Sequence, residues 1–325
     1  LGVNETLKLF NLMQTNGGER GKDNQFVIIS PVGHCLSERA TENTVVGALD
    51  FGDARLDYFR IYLDWFDHWL KGVDNGVTEM PKVQYYLMGA NEWRTSDVWP
   101  VPGTQQVPLY LHSSGQANTR NGDGFLTAVA PFDEPPDSYV YDPGSPVPSL
   151  GGPICCTSAE GSVAGAFDQS EIELREDVLV YTTQPLGDGL EVTGELEAIL
   201  YVSSSARDTD FTVKLVDVHP DGDAYNVQEG ILRARYREGF DRWVFMNEGG
   251  VYEVRIDLHA TAHYFKPGHR IRVEVSSSNF PRLDRNLNTG GNNYDESEWV
   301  VATNTIHHSQ ATPSRIVLPV VSTSR

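Results

Sequence analysis

The stretch "FVIISPVGHCLS", residues 26–37, holds the residue best suited to chemistry. Four apolar residues, Phe26 to Ile29, read as a short buried strand that stops at Ser30-Pro31, and His34 follows on a tight loop. An imidazole there suits general-base catalysis: it titrates near neutrality, takes a proton from a hydroxyl and returns it to a leaving group. Such a base needs a nucleophile to activate and an acid to hold its tautomer. A nucleophilic serine is often carried on a strand-to-helix elbow of pattern GxSxG. The nearest approach is "GSVAG" at 161–165, which has Ser162 in the wrong place and comes after the histidine rather than before it. With His34 as the base, serine and acid are expected upstream of Leu1.

Other reactive residues have plainer readings. Cys35 adjoins His34, but adjacent residues of an extended loop point apart, so Cys35 is taken as a bystander thiol. With Cys155 and Cys156 it makes three cysteines, two of them adjacent, and no disulfide framework is expected. The nine histidines show no HExxH and no Cys/His ligand spacing, and His307-His308 reads as a pair without partners. No metal and no cofactor are therefore expected. Asp208, Asp210 and Asp217 could form a calcium cluster, but Asp210 paired with Arg233 or Arg235 is the preferred reading. In "FPRLDRNLNTGG" (280–291), Arg282, Asp284 and Arg285 read as an interdomain brace rather than the mouth of a site.

The elements needed to position His34 lie around it. "ETLKLFNLMQ" places Leu7, Phe10 and Met13 on one helical face, with Leu9 and Leu12 beside it. From Asp53, a candidate N-cap, to Gly72, the apolar residues Leu56, Phe59, Leu63, Phe66 and Leu70 form one stripe of an amphipathic helix. Trp65, Phe66 and Trp69 are expected in a core. After residue 80 the pattern turns to short β-rich runs separated by Gly, Pro, Asp and Asn. "YEVRIDLH" alternates cleanly; "TVKLVDVH" is apolar on both faces, and a bulge could shift its register. The expected organisation is an α/β segment (1–80), a connector (81–105) and an all-β sandwich of jelly-roll type, galactose-binding-like (106–325).

Composition sets the partners. A formal net charge of −20 repels phosphate backbones and anionic lipid, so nucleic acid and membrane are excluded. No apolar run approaches the ~20 residues of a membrane span. The start "LGVNETLKLF" reads as the inside of a larger protein; the compartment stays open, with the cytoplasm preferred.

Six segments in order resemble one family: "WFDHWLKGVDNGV" (65–77), "YDPGSPVPSLGG" (141–152), "DVLVYTTQPL" (177–186), "DTDFTVKLVDVHPDG" (208–222), "ILRARYRE" (231–238) and "FKPGHRIRVEVSSSNFPRLDRNLNTG" (265–290). It is the CocE/NonD family of serine hydrolases, the cocaine esterase, α-amino-acid ester hydrolase and X-Pro dipeptidyl-peptidase group. The resemblance implies an α/β-hydrolase domain with a helical cap, then a C-terminal jelly roll. It also implies a Ser-His-Asp triad whose histidine sits in a "GPWxH"-like loop. "SPVGH" resembles that loop and puts His34 at the histidine position, with Val32 where the family usually has an aromatic. The implied partners are a small ester or amide substrate and the N-terminal catalytic segment; a homo-oligomer is possible. The alternative is a stand-alone sandwich that binds carbohydrate or protein; the segment 1–75 separates the two, because a binding module has no need of it.

Overall fold

The computed structural model describes residues 2–155 and 163–322; Ser162 and Cys156 lie outside the described residues. Helices α1 (Gly2–Asn16) and α2 (Gly18–Asp23) precede strand β1 (Val27–Ile29). A two-strand ribbon, β2 (Val45–Val46) and β3 (Leu49–Asp50), leads to helix α3 (Tyr58–Lys71), and strands β4 (Val83–Leu87) and β5 (Glu92–Ser96) follow. β1 pairs in parallel with β4, which pairs antiparallel with β5, so α3 lies in the crossover between two parallel strands. Strand β4 thus falls within the expected connector while it pairs with β1.

Sequence explains both long helices. In α1, Leu7 and Phe10 are buried while Leu9 and Leu12 face out. In α3 the N-cap is Asp57, not Asp53: the Asp57 carboxylate accepts the Arg60 N–H at 3.0 Å. Asp53 is occupied by Arg55, whose Nε donates to it at 2.9 Å. Gly72 ends α3 in the left-handed conformation, φ 71°, as its lack of a Cβ allows.

Within this chain the α3 aromatics are not buried in a core. Phe66 is 55% and Trp69 41% exposed, and Phe59, Leu63 and Leu70 are also exposed. Trp65 is half-buried, with its ring edge-on to Phe26 at 5.6 Å between centroids. The stripe is present, but no described residue covers it.

The rest of the chain is mostly β: β6 (Thr104–His112), β7 (Phe125–Thr127), β8 (Asp137–Tyr141), β9 (Leu179–Thr182), β10 (Leu190–Ser204), β11 (Asp210–Val218), β12 (Ala224–Arg233), β13 (Tyr252–Phe265), β14 (Arg270–Ser276), β15 (Ala302–Ser309), β16 (Thr312–Pro313) and β17 (Arg315–Val321). They form one hydrogen-bonded network in the order β12-β11-β14-β9-β7-β6-β17-β10-β15-β16, with β13 added to β10 and β8 to β15. Every pairing in it is antiparallel except the single β7–β9 pair. One buried cluster joins Phe211, Val213 and Leu215 of β11 and Val273 of β14 to Val254, Ile256 and Leu258 of β13. Strands far apart in the network therefore share a core. The alternation read in "YEVRIDLH" holds, and a bulge opposite Leu215/Val216 offsets β12 against β11. No described helix is long and apolar enough to cross a membrane.

A second cluster ties this core to the N-terminal elements. Leu7 and Phe10 of α1, Val27 of β1, Val83 and Tyr85 of β4, Trp99, Val101, and Ala260 and Ala262 of β13 bury one another. At Gly89 a Cβ would stand 2.2 Å from the Tyr264 carbonyl oxygen, so only glycine permits this approach to β13.

Two further expectations are corrected. The "FPRLDRNLNTGG" network is a brace within the β region: Arg282 pairs with Glu229, Arg233 with Asp284, and Arg285 donates to the Pro143 carbonyl at 2.7 Å. Cys155 is disulfide-bonded, whereas Cys35 is free and exposed.

His307-His308 is no unpartnered pair either. His307 Nε2 meets Ser203 Oγ at 2.9 Å, and His308 Nε2 donates to the Asp137 carboxylate at 2.7 Å. Asp137, fully buried, also accepts from Ser113 Oγ (2.6 Å), Tyr181 Oη (2.8 Å) and the Ala117 N–H (2.9 Å). Burial alone would raise its pKa, but these donors, His308 first, hold it below the usual carboxylate value. Its contribution to stability is thus present above the unfolded carboxylate pKa of ~3.9 and is lost as pH falls through the lower folded value. Asp137→Ala leaves buried donors without an acceptor and is expected to cost about 3–5 kcal/mol in urea unfolding. Ser113→Ala is expected to cost about 1 kcal/mol. Equal costs for the two would remove Asp137 as the hub.

Candidate active site

His34 follows β1 on a turn at the carboxyl end of that strand. The loop is closed at its neck by Ser30 Oγ and Ser37 Oγ, 3.0 Å apart, and at its tip by the Leu36 N–H donating to the Gly33 carbonyl at 3.2 Å. Cys35 takes a left-handed conformation, φ 57°, which turns the chain just after His34. The imidazole is exposed, and among the described residues no hydrogen bond reaches it.

The residues beyond the loop supply no orienting acid. A cavity of about 310 Å³ is lined by Ser37, Glu38, Ala40, Arg55, Leu56 and Asp57. Glu38 is engaged by the Tyr62 hydroxyl, which donates to it at 2.6 Å. That bond pushes the Tyr62 pKa up to about 12 and holds the Glu38 carboxyl below its ordinary value. Asp57 caps α3, and Arg55 is shared between Asp53 and Glu42. Both carboxylates that line this cavity are thus engaged, Glu38 by Tyr62 and Asp57 by the Arg60 N–H. Among the described residues, no carboxylate is hydrogen-bonded to the His34 ring.

A serine, a histidine and an aspartate do meet elsewhere, at Ser113, His308 and Asp137. Ser113 Oγ lies 3.2 Å from His308 Nε2, and Asp137 Oδ2 lies 2.7 Å from the same nitrogen. A triad needs serine and acid on opposite ring nitrogens, so that the acid holds the tautomer while the other nitrogen takes the serine proton. All three are also sealed from solvent, with Ser113 the most exposed at 5%. The constellation is structural.

The aspartates sort as the charge reading anticipated. Arg233 donates to both Asp210 oxygens, at 2.9 and 3.0 Å, and Arg235 Nε donates to Asp208 at 2.8 Å. Asp217 lies apart from both: His263 Nε2 and His269 Nδ1 each approach its carboxylate at 2.9 Å, and His219 Nε2 stands 3.8 Å away. Burial would raise the Asp217 pKa, but His263 and then His269 hold it below the ordinary value. Asp217, His219 and His269 bring their ligand atoms within 4.8 Å of one another. Spacing along the chain hides this cluster, whose members come from β11 and the residue after it, from β13, and from the turn before β14. The signal in the sequence was Asp217-Val218-His219 at a strand end.

Residues 75–317 match the family described as the X-Pro dipeptidyl-peptidase C-terminal non-catalytic domain. The chain is similar to the cocaine esterase of Rhodococcus sp. (strain MB1 Bresler), 48% identical over 259 residues, which cover 79% of this chain and 45% of that protein. It superposes on an aminopeptidase from the marine sediment archaeon Thaumarchaeota archaeon with TM-score 0.83 and 30% identity, over 97% of this chain and 52% of the other. An α-amino acid ester hydrolase superposes with TM-score 0.81 and 29% identity, over 96% and 52%. The chain spans about half the length of these relatives. His34 lies outside the residues that match the non-catalytic domain.

Because the His34 ring makes no hydrogen bond in the described structure, His34→Ala is expected to leave unfolding free energy within about 0.5 kcal/mol. Denaturant unfolding measures this; a loss above about 1 kcal/mol would give the ring a structural role.

Proposed function

The chain belongs to the CocE/NonD family of hydrolases and carries the X-Pro dipeptidyl-peptidase C-terminal domain over residues 75–317, and from that premise we propose that it is part of a serine hydrolase of ester or amide bonds with His34 as general base. The observation that carries this reading is the exposed, unpartnered imidazole of His34 at the end of β1. It stands beside surfaces that want covering. Among the described residues β1 pairs on one side only, and the apolar stripe of α3 is bare. We read β1, α3 and β4 as the margin of an α/β-hydrolase sheet, and β6–β17 as the jelly roll. A further catalytic segment of the same protein then pairs the free edge of β1, covers α3, and brings serine and acid to His34.

The chemistry follows from the ring. Neutral imidazole accepts the serine proton as the oxygen attacks the substrate carbonyl; the imidazolium then protonates the departing alcohol or amine. Water repeats the cycle on the acyl-enzyme and restores both groups. The acid, on the other ring nitrogen, keeps the accepting nitrogen free. A stand-alone binding sandwich explains β6–β17 but leaves the parallel β1–α3–β4 unit without a use.

In the intact enzyme His34→Ala is expected to lower kcat by roughly 10⁴–10⁶-fold on an activated ester, with circular dichroism unchanged. Near-normal turnover would remove His34 from the mechanism. The chain on its own is expected to bind an apolar fluorescent dye through α3, and Leu63→Glu with Phe66→Glu to reduce that binding without lowering Tm. Dye binding that ignores both substitutions would place the bare surface elsewhere.

A further inference from the structure

We propose that Asp217, His219 and His269 form a binding site for one divalent transition-metal ion of the zinc class. Asp217 shares a face of β11 with Phe211, Val213 and Leu215, so its carboxylate is carried inward with the core residues. A buried carboxylate requires compensation, and the fold supplies imidazoles rather than a guanidinium or an ammonium. Imidazole nitrogen and carboxylate oxygen are a donor set that suits zinc.

The geometry agrees. Donor atoms about 2.0–2.1 Å from a tetrahedral ion stand about 3.3 Å from one another. Here His269 Nδ1 is 2.9 Å from Asp217 Oδ1 and His219 Nε2 is 3.8 Å from Asp217 Oδ2, and one ligand atom from each residue lies within 4.8 Å of the others, so small side-chain turns close the set on an ion. The His219 and His269 rings lie 4.5 Å apart between centroids, so both can turn a nitrogen toward one point. His263, 2.9 Å from Asp217 Oδ2, acts as the outer partner that orients the carboxylate. Without an ion, His263 and His269 satisfy Asp217 as Asp–His hydrogen bonds, so the fold does not depend on loading.

There is also a way in. His219 lines a cavity of about 440 Å³ together with Arg120, Pro185, Pro220, Gly268, Arg270 and Arg272, among others. The Arg272 charge is balanced by Glu173, and Arg270 donates to the Thr183 carbonyl at 3.1 Å. Because His219 lines this cavity, water or a small anion can reach the ion from it and complete the shell.

The test titrates Zn²⁺ and Co²⁺ into the purified, metal-stripped chain in a Cys35→Ser background, which removes the exposed thiol. The expected result is one Zn²⁺ per chain by calorimetry, a rise in Tm, and an intense visible absorption on Co²⁺ binding, the signature of four-coordination. His219→Phe, which removes a ligand that is not hydrogen-bonded to Asp217, is expected to weaken binding at least about tenfold while the metal-free Tm holds. His219→Cys, which restores a ligand, is expected to recover the Co²⁺ absorption. Absence of saturable binding, or equal affinity in the parent and His219→Phe, would overturn the proposal.

Discussion

The placement of His34 depends on one buried apolar contact. Leu7, Phe10, Val27, Val83, Tyr85, Trp99 and Val101 close over Ala260 and Ala262 of β13. Each large side chain removed from water contributes about 1.5–3 kcal/mol. The small residues on β13 let β4 and the Gly89 turn lie close against that strand. Val27 is part of the cluster, so the strand that ends in the His34 loop is anchored to the β region at its start. The loop that follows is then free to present an imidazole that nothing in the described chain restrains.

The β region answers a different constraint, the cost of carboxylates carried into the interior. Asp137, Asp208, Asp210 and Asp217 are all buried, and each has its own set of donors. Arginine serves where the partner strand offers a side-by-side approach, as at Asp210. Histidine serves at Asp137 and Asp217, where donors arrive from separate strands. Such networks fix how the strands sit on one another, because a partly satisfied group would be costly. The same demand that ties strands together at Asp217 leaves a set of atoms able to hold an ion.

Much of this was legible in the residues. The strand at Phe26–Ile29, the histidine loop after it, the α3 stripe, the Gly72 cap and the pairing of Asp210 with Arg233 follow from local pattern and charge. The start of α3 did not, because Asp53 and Asp57 are both plausible caps, and it is the pairing of Asp53 with Arg55 that leaves Asp57 to accept the Arg60 N–H. The need of the α3 stripe for a cover from outside this chain was also legible, although which of its aromatics stay bare was not. Periodicity shows that a face is apolar, not whether a partner is there to bury it. The partners of His308 and the grouping around Asp217 were illegible because their members are brought together by pairing between distant strands. The family resemblance carried the reading of His34 further than its local sequence could.

The central claim is that this chain supplies the base and another segment supplies the nucleophile. A fluorophosphonate probe tests it, because such a probe labels only a serine activated by its histidine. The chain alone, and the chain joined to or co-expressed with the rest of its protein, are treated with the probe, and the labelled residue is mapped by mass spectrometry. The account predicts no labelling of the isolated chain, and in the complete protein labelling of a serine outside residues 1–325 that is abolished by His34→Ala. Labelling of a serine within this chain in isolation would contradict it.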